Sequence, residues 1–255
     1  MTSDTSSASG ARTPALAILI LLSTLMPLGL NMYVPAMAAM QADLSTSATT
    51  IQLTLSLFLA ATAVGQVLAG PLSDIVGRRP VLLVGILLFT AGSLACAFAP
   101  TVEVLIVGRV VQALGGSAGL SLARAIVRDV HGTRASASLI GYLTMAMAVA
   151  PLVAPVIGGF VLDFASWRVI FDLLAAYGGL VLVAAWLFLF ETRRTLAGAY
   201  RLKGFFRESG RLLGLPDFWI YAGTLGFLSS SFFAYLAAGP FVATNVYGLT
   251  PSAYG

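Results

Sequence analysis

Residues 70–80 read Gly-Pro-Leu-Ser-Asp-Ile-Val-Gly-Arg-Arg-Pro, a charged and tightly turning segment between two apolar stretches that are each long enough to cross a bilayer. Two membrane helices joined by so few residues must reverse direction at the membrane surface. Glycine gives the backbone freedom to turn, and proline stops a helix. We therefore expect the reversal to use the four residues Gly70, Pro71, Gly77 and Pro80.

The same segment carries an acidic residue and two arginines. Asp74 precedes Arg78 by four residues, the spacing at which side chains on a helix meet. This spacing predicts an ion pair that forms and breaks as the protein changes conformation. In the alternative interpretation, Arg78 and Arg79 only face lipid headgroups and set the orientation of the chain.

Composition places the chain in the membrane. Of its 255 residues, 58% are hydrophobic and 9% are charged, and the mean hydropathy is +0.94. No water-soluble domain has such a composition, so we predict an all-α integral membrane protein. Cys96 is the single cysteine, which excludes an intramolecular disulfide and predicts a packed thiol.

The apolar runs predict seven membrane helices, called here the first to seventh spans. A helix needs about 20 residues to cross about 30 Å of hydrocarbon. Glycines and prolines interrupt the last three runs, which we expect to be kinked helices. The predicted spans are 14–34, 51–70, 81–99, 103–122, 137–161, 169–190 and 218–238.

Basic residues predict the orientation. With residues 1–13, a polar tail, in the cytoplasm, only Arg168 falls outside, and Arg109 lies within a span. This asymmetry follows the positive-inside rule, and it explains the net charge of +4 without nucleic-acid binding. The residues expected on the inner side are Arg12, Arg78, Arg79, Arg124, Arg128, Arg134, Arg193, Arg194, Arg201, Lys203, Arg207 and Arg211.

The order of the spans predicts the domains. Residues 14–190 form a six-helix bundle, 191–217 a basic connection, and 218–255 the start of a second bundle. The connection is expected to form an amphipathic helix on the inner leaflet, with a calmodulin-like or nucleic-acid target as the alternative. Transporters are commonly built from two six-helix halves, so the chain is expected to be a fragment of a twelve-helix protein.

Three motifs carry a family resemblance. Residues 70–80 resemble the loop signature between the second and third helices of the major facilitator superfamily, and residues 109–116 resemble its second signature, an embedded arginine followed by glutamine. The fifth span resembles the antiporter signature, with alanine at two positions where the pattern prefers glycine. The positions matched are Gly141, Ala150, Ala154, Pro155, Gly158 and Gly159.

More local runs, at 31–35, 167–171 and 238–241, resemble the Bcr/CflA-type drug:proton antiporters. The resemblance implies proton-coupled efflux of amphipathic, bicyclomycin- or chloramphenicol-like drugs by alternating access across the bacterial inner membrane. Its implied partners are a small-molecule substrate, protons, membrane lipid and the missing C-terminal half. The alternatives are an exporter of small metabolites and a truncated, non-transporting half.

Arg109 is the strongest single candidate. It lies six residues after Glu103, about 9 Å along a helix. A charge facing lipid there costs about 2.5–3.5 kcal/mol, so Arg109 is expected to face a polar cavity or a partner, with Gln112 one turn away. Either it favours ionisation of a nearby carboxyl, or it only bonds carbonyls of the first span.

Other polar or adaptable residues are expected along the substrate and proton pathway. Asn31 stands where the Bcr/CflA-type pattern usually has aspartate, and it cannot titrate. Asp172 is the nearest carboxylate within a span, expected either to pair with Arg168 or to carry a proton. The remaining candidates are Met26, Tyr33, Gln52 and Gln66, with ordinary helix packing as the alternative for Met26 and Tyr33.

The resemblance also implies two moving contacts. Asp129, at the end of the fourth span, is expected to join Asp74 and Arg78 in a cluster that stabilises the outward-facing state. The small residues of the fifth span are expected to make a dry contact with the C-terminal half. No phosphate loop, Cys/His cluster or nucleophile–base pair is evident, so we expect neither an enzyme nor a metal or cofactor.

Overall fold

The computed structural model describes residues 16–192, 200–248, 250 and 253, and it is all-helical over these ranges. Helical content follows from the bilayer, because a helix satisfies its own backbone hydrogen bonds where no water is present. The helices are Leu16–Asn31, Met37–Asp43, Ala48–Val76, Arg78–Ala97, Val102–Phe164, Arg168–Phe188, Tyr200–Leu213 and Pro216–Asn245, with a short 3₁₀ helix at Val34–Ala36.

Seven stretches of the described residues are long and apolar enough to cross a membrane, which confirms the predicted fold class. Each overlaps one predicted run, and most extend several residues beyond it. They are Leu16–Asp43, Ala48–Val76, Arg78–Ala97, Val102–Val130, Ser136–Phe164, Arg168–Phe188 and Pro216–Ala243.

The first span is broken near its middle. Its first helix ends at Asn31, and the 3₁₀ helix Val34–Ala36, which contains Pro35, precedes the helix Met37–Asp43 that completes the crossing. A helix end leaves its last carbonyls without helical partners. The backbone N–H of Met32 donates to the carbonyl of Leu28. The carbonyl of Gly29, the next along the helix, therefore remains available to another element.

The fourth and fifth spans belong to one stretch of helical backbone, Val102–Phe164. The chain nevertheless turns back within it. The guanidinium of Arg124 lies 3.3 Å from the sulfur of Met147, although 23 residues of straight helix would separate them by about 35 Å. The hydroxyl of Ser136 also donates to the carbonyl of Val127 at 3.2 Å. The two predicted spans therefore stand as an antiparallel pair.

The reversal at residues 70–80 differs from the prediction. The second span continues through Gly70 and Pro71 to Val76, and the third begins at Arg78. Gly77 alone makes the turn, at φ 111°, a backbone conformation that favours glycine. Pro80 lies in the first turn of the third span, where a missing N–H costs nothing. The expected use of all four residues as turn and stop signals is therefore wrong.

The third and fourth spans approach each other backbone to backbone. Two glycines on each span face the other, seven residues apart on both: Gly85 and Gly92, and Gly108 and Gly115. A Cβ added at Gly92 would lie 2.5 Å from the backbone nitrogen of Gln112. Small residues at an interface let membrane helices pack at this short distance.

Burial differs strongly among the spans. The most apolar window of the first span is 67% buried, against 22% for the fifth and 11% for the seventh. The first span is thus the core of the bundle, and the fifth and seventh leave most of their surface free. The amide of Gln52 links the second span to the seventh by donating to the carbonyl of Ala237 at 3.2 Å.

The basic connection contains the helix Tyr200–Leu213. Its placement on the inner leaflet, and the domain boundaries, stay predictions. The polar tail of residues 1–13 lies outside the described residues.

Candidate functional site

Arg109 lies in the centre of the bundle and has no exposed surface. One terminal nitrogen of its guanidinium donates to the carbonyl of Gly29 at 2.7 Å and to the side-chain oxygen of Gln112 at 2.6 Å. The break in the first span makes the first bond possible, because it leaves that carbonyl free. The amide of Gln112 in turn donates to the hydroxyl of Ser93 at 2.7 Å.

Aromatic rings surround the same guanidinium, and we call Arg109 with these rings the arginine cage. The guanidinium carbon lies 3.9 Å from the ring centre of Tyr33, 4.1 Å from that of Phe58 and 5.9 Å from that of Phe171. Such contacts stabilise a desolvated cation by about 2 kcal/mol or more. They replace part of the hydration that Arg109 loses.

The cage leaves part of the guanidinium unsatisfied. Its Nε and second terminal nitrogen are buried without hydrogen-bond partners, and among the described residues Arg109 forms no salt bridge. A buried charge without a counter-ion costs several kcal/mol. Proteins keep such unpaired buried charges at functional sites more often than in structural cores.

The predicted pathway residues divide into two groups. Tyr33 and Gln112 belong to the cage or contact it, and the hydroxyl of Tyr33 lies 3.3 Å from that of Thr54. Asn31 is buried nearby, but its amide donates to the carbonyl of Pro27 at 2.7 Å, within its own helix. Met26 is half-buried, and Gln66 lies on the exposed face of the second span, outside the cage.

A second cluster lies at the end of the bundle where the second and fourth spans end and the third span begins. Arg78 pairs with Asp74 at 3.2 Å and with Asp129 at 3.1 Å, and it donates to the hydroxyl of Ser73. We call these four residues the Arg78 cluster. Its predicted contacts are present, and its role as a switch stays a prediction. Arg78 is only 8% exposed, so the expectation that it faces headgroups is wrong.

Glu191, just past the sixth span, closes the same end of the bundle. Its two carboxylate oxygens accept the backbone N–H groups of Arg78 and Arg79 at 3.0 and 3.1 Å. These are the first N–H groups of the third span, which have no helical partners and carry the positive end of the helix dipole. The side chain of Arg79 donates to the carbonyl of Trp186 at 2.7 Å.

Most of the small residues of the fifth span face inward. Ala150 and Ala154 are buried, and a Cβ at Gly158 would collide with the carbonyl of Met32 in the first span. Gly159 is buried, Pro155 is half-buried and Gly141 is exposed. At Gly158 this face packs against the first span of the same bundle, and the expected dry contact with the C-terminal half stays a prediction. The face left free carries Met145, Val149, Leu152, Val156 and Phe160.

A third cluster lies at the opposite end from Arg78. Arg168 pairs with Asp43 at 2.6 Å and donates to the carbonyl of Ala99 at 3.1 Å. The indole of Trp167 donates to the same Asp43 carboxylate at 3.1 Å. These bonds therefore join the connections that follow the first, third and fifth spans. Arg168 does not pair with Asp172, which is exposed, so that expectation is wrong.

The model of the Major Facilitator Superfamily matches residues 19–255. The chain belongs to this superfamily. The glycine-packed third and fourth spans and the Arg78 cluster are thus features of a superfamily member.

Superfamily relatives include named resistance proteins. The chain is 39% identical to an uncharacterized MFS-type transporter, YdgK, of Bacillus subtilis, covering 94% of the chain and 61% of the relative. It is 38% identical to a chloramphenicol resistance protein of Pseudomonas aeruginosa, covering 84% and 50%. It is 29% identical to a bicyclomycin resistance protein homolog of Haemophilus influenzae, covering 92% and 59%. The chain therefore spans about half to three fifths of these relatives.

Solved structures of superfamily transporters share the fold. A bacterial homolog of the human lysosomal transporter Spinster, inward-facing and unoccupied, matches with a TM-score of 0.78 at 21% identity, covering 93% of this chain and 56% of that one. A D-xylose-proton symporter matches with a TM-score of 0.69 at 16% identity, covering 94% and 63%. At such identities the likeness concerns the fold alone.

The sequence did not predict several of these contacts, among them those of Asp43, Phe58, Ser93 and Glu191. Phe58 and Ser93 gave no signal, because an aromatic residue and a serine within apolar runs look like ordinary packing. Asp43 and Glu191 did give one. Each is an acid at the end of a span, and such acids usually pair with a basic residue or a helix N-terminus.

Proposed function

We propose that this chain is the N-terminal part of a secondary active exporter that moves amphipathic, drug-like compounds out of the cytoplasm by alternating access. The observation that carries the proposal is the Arg78 cluster. It ties the reversal between the second and third spans to the end of the fourth through pairs near the membrane surface. The carboxylates of Asp74 and Asp129 are partly exposed, although Arg78 is buried. Breaking each pair is therefore expected to cost at least the roughly 1 kcal/mol of an exposed ion pair, and a contact of this strength can open and close.

Further observations support the proposed substrate class, membrane orientation and structural partner. Relatives named for chloramphenicol and bicyclomycin resistance favour antibiotic-like substrates. The arginine-rich end favours a cytoplasmic N-terminus in the bacterial inner membrane, by the positive-inside rule. The free apolar face of the fifth span favours a second six-helix half as the structural partner.

We also propose that a proton gradient drives export, although Asn31 cannot carry the proton. In the first six spans as described, the carboxylates lie toward span ends: Asp43, Asp74, Glu103, Asp129, Asp163 and Asp172. The cage of Arg109 supports a role in coupling, because an unpaired buried cation favours an anion that approaches it. The proton-binding carboxylate is then expected in the C-terminal half.

Drug accumulation tests the proposal. We expect bacteria that lack their own efflux pumps to accumulate less chloramphenicol or bicyclomycin when they express the full-length protein. A protonophore should restore accumulation, because it removes the driving force. Unchanged accumulation with protein present in the membrane would contradict drug export. Lowered accumulation that resists the protonophore would contradict proton coupling alone.

The Arg78 cluster provides a sharper test. We expect Arg78→Ala and Asp129→Asn to lower export by about fivefold or more, the factor that about 1 kcal/mol supplies. Membrane levels should be unchanged, because hydrophobic length drives insertion. The readout is export rate at equal membrane content. Asp163→Asn removes an exposed carboxylate at the opposite end and should export normally. Normal export by both cluster variants would refute the switch.

A further inference from the structure

A groove lies on the lipid-facing surface of the bundle between the third and sixth spans. Leu83, Val84 and Leu87 line one side, and Leu182, Val183 and Trp186 line the other, enclosing about 380 Å³. Trp186 is 62% exposed and Leu87 is 55% exposed, so the lining faces the bilayer. The side chains in this groove are entirely apolar.

Arg79 lies next to one end of this groove. Positions 79, 83 and 87 follow each other at one-turn spacing on the third span, and Arg79 donates to the carbonyl of Trp186 at 2.7 Å. Eight residues of helix rise about 12 Å, close to the depth of one leaflet's hydrocarbon. The groove therefore runs from the headgroup level toward the bilayer centre.

The guanidinium of Arg79 has unused capacity for an anion. One of its terminal nitrogens donates to the carbonyl of Trp186, the residue is only half-buried, and among the described residues Arg79 forms no salt bridge. Neighbouring charges are otherwise engaged. Arg78 is held by Asp74 and Asp129, and Glu191 accepts the backbone N–H groups of residues 78 and 79. Arginine forks match the oxygens of a phosphate.

We infer that this groove binds an anionic phospholipid, with its phosphate on Arg79 and one acyl chain along Leu83, Leu87 and Val183. A second groove, between the third and fourth spans, supports the assignment by contrast. It encloses about 460 Å³ and is lined by residues that include Val104, Val107 and Glu103. That lining holds no arginine or lysine, so a similar apolar groove there lacks a cation for the phosphate. The inference does not depend on transport activity.

Quenching of Trp186 tests the site directly. The full-length protein, with every other tryptophan replaced by phenylalanine, is placed in phosphatidylcholine bilayers that contain brominated phosphatidylglycerol or brominated phosphatidylcholine. We expect phosphatidylglycerol to quench Trp186 at about fivefold lower mole fraction, the preference that one arginine near an anionic surface supplies. Equal quenching by both lipids would overturn the inference.

Matched variants separate this site from general surface charge. Arg79→Gln should bring the preference to about one. Arg128→Gln removes an exposed arginine from the same end of the bundle and should leave the preference unchanged. Val84→Phe should weaken phosphatidylglycerol quenching while leaving Arg79 intact. Equal loss with Arg79→Gln and Arg128→Gln would overturn the inference, as would unchanged phosphatidylglycerol quenching with Val84→Phe.

A tryptophan in the second groove completes the test. With Trp186→Phe as background, Val107→Trp places the reporter beside Glu103. We expect no preference for phosphatidylglycerol there. A fivefold preference at this position too would overturn the assignment to Arg79.

Discussion

Arg109→Met is expected to abolish export while the protein remains folded. Methionine has similar length and fills the arginine cage without a charge. The substitution removes the guanidinium, a buried cation whose desolvation costs several kcal/mol. It also leaves the carbonyl of Gly29 and the side-chain oxygen of Gln112 unpaired, at about 1–3 kcal/mol each. These effects oppose each other, so the net change in stability is expected to be small.

Function should respond differently, because methionine has no charge to offer a proton-binding carboxylate. We expect drug accumulation in cells with Arg109→Met to equal that in cells without the protein. Arg109→Lys keeps the charge, and a single ammonium can donate to both acceptors that one guanidinium nitrogen now serves. It loses the planar stacking on Tyr33 and Phe58, so we expect partial export.

The two readouts distinguish a coupling role from a structural one. If Arg109 only holds the first span, Arg109→Met will lower the thermal unfolding midpoint in detergent, and any export loss will follow that drop. If Arg109 couples export to protons, the midpoint will stay near wild type while export disappears. Normal export by Arg109→Met contradicts the coupling role.

Gly92→Val is expected to have the largest effect on folding. A Cβ at Gly92 would lie 2.5 Å from the backbone nitrogen of Gln112 and 2.7 Å from the carbonyl oxygen of Gly108. Both atoms are backbone, so no side chain can rotate away, and the third and fourth spans must separate. Overpacking with flexible neighbours already costs about 1–3 kcal/mol, and rigid neighbours raise that cost.

The control for Gly92→Val is Gly179→Val in the sixth span, where an added Cβ meets no atom within 4 Å. We expect little folded Gly92→Val protein by size-exclusion chromatography, an intermediate unfolding midpoint for Gly92→Ala, and near wild-type behaviour for Gly179→Val. The shift at Gly92 should also disturb the cage, because Gln112 is the residue displaced. Equal midpoints for Gly92→Val and Gly179→Val would contradict the packing.

Much of the fold was predictable because the bilayer imposes it. About 30 Å of hydrocarbon demands long apolar helices, so all seven spans follow from hydropathy. The contacts of the Arg78 cluster were also predictable, since Asp74 is one helical turn before Arg78 and motif order placed Asp129 at the same end. The burial of Arg109 followed from the cost of charge in lipid.

The faces of the helices were not predictable in the same way. Alanine and glycine on the fifth span indicate close packing, yet they do not say which helix packs there, and at Gly158 it is the first span. Likewise, Gly70 and Pro71 have turn-forming residue types, but the second span continues through them to Val76. A local preference of this kind is weak beside the requirement to satisfy backbone hydrogen bonds in the membrane.

Residue order alone was sufficient for the number of spans, the family and the clustering of charge at one end, because each depends on transfer energies or spacing along the chain. Three features arose only when distant segments met in space. These are the cage around Arg109, the Glu191 contact with the start of the third span, and the groove below Arg79. Their physical reason is shared: each joins residues from different spans, and the packing of helices, rather than any local preference, brings those residues together.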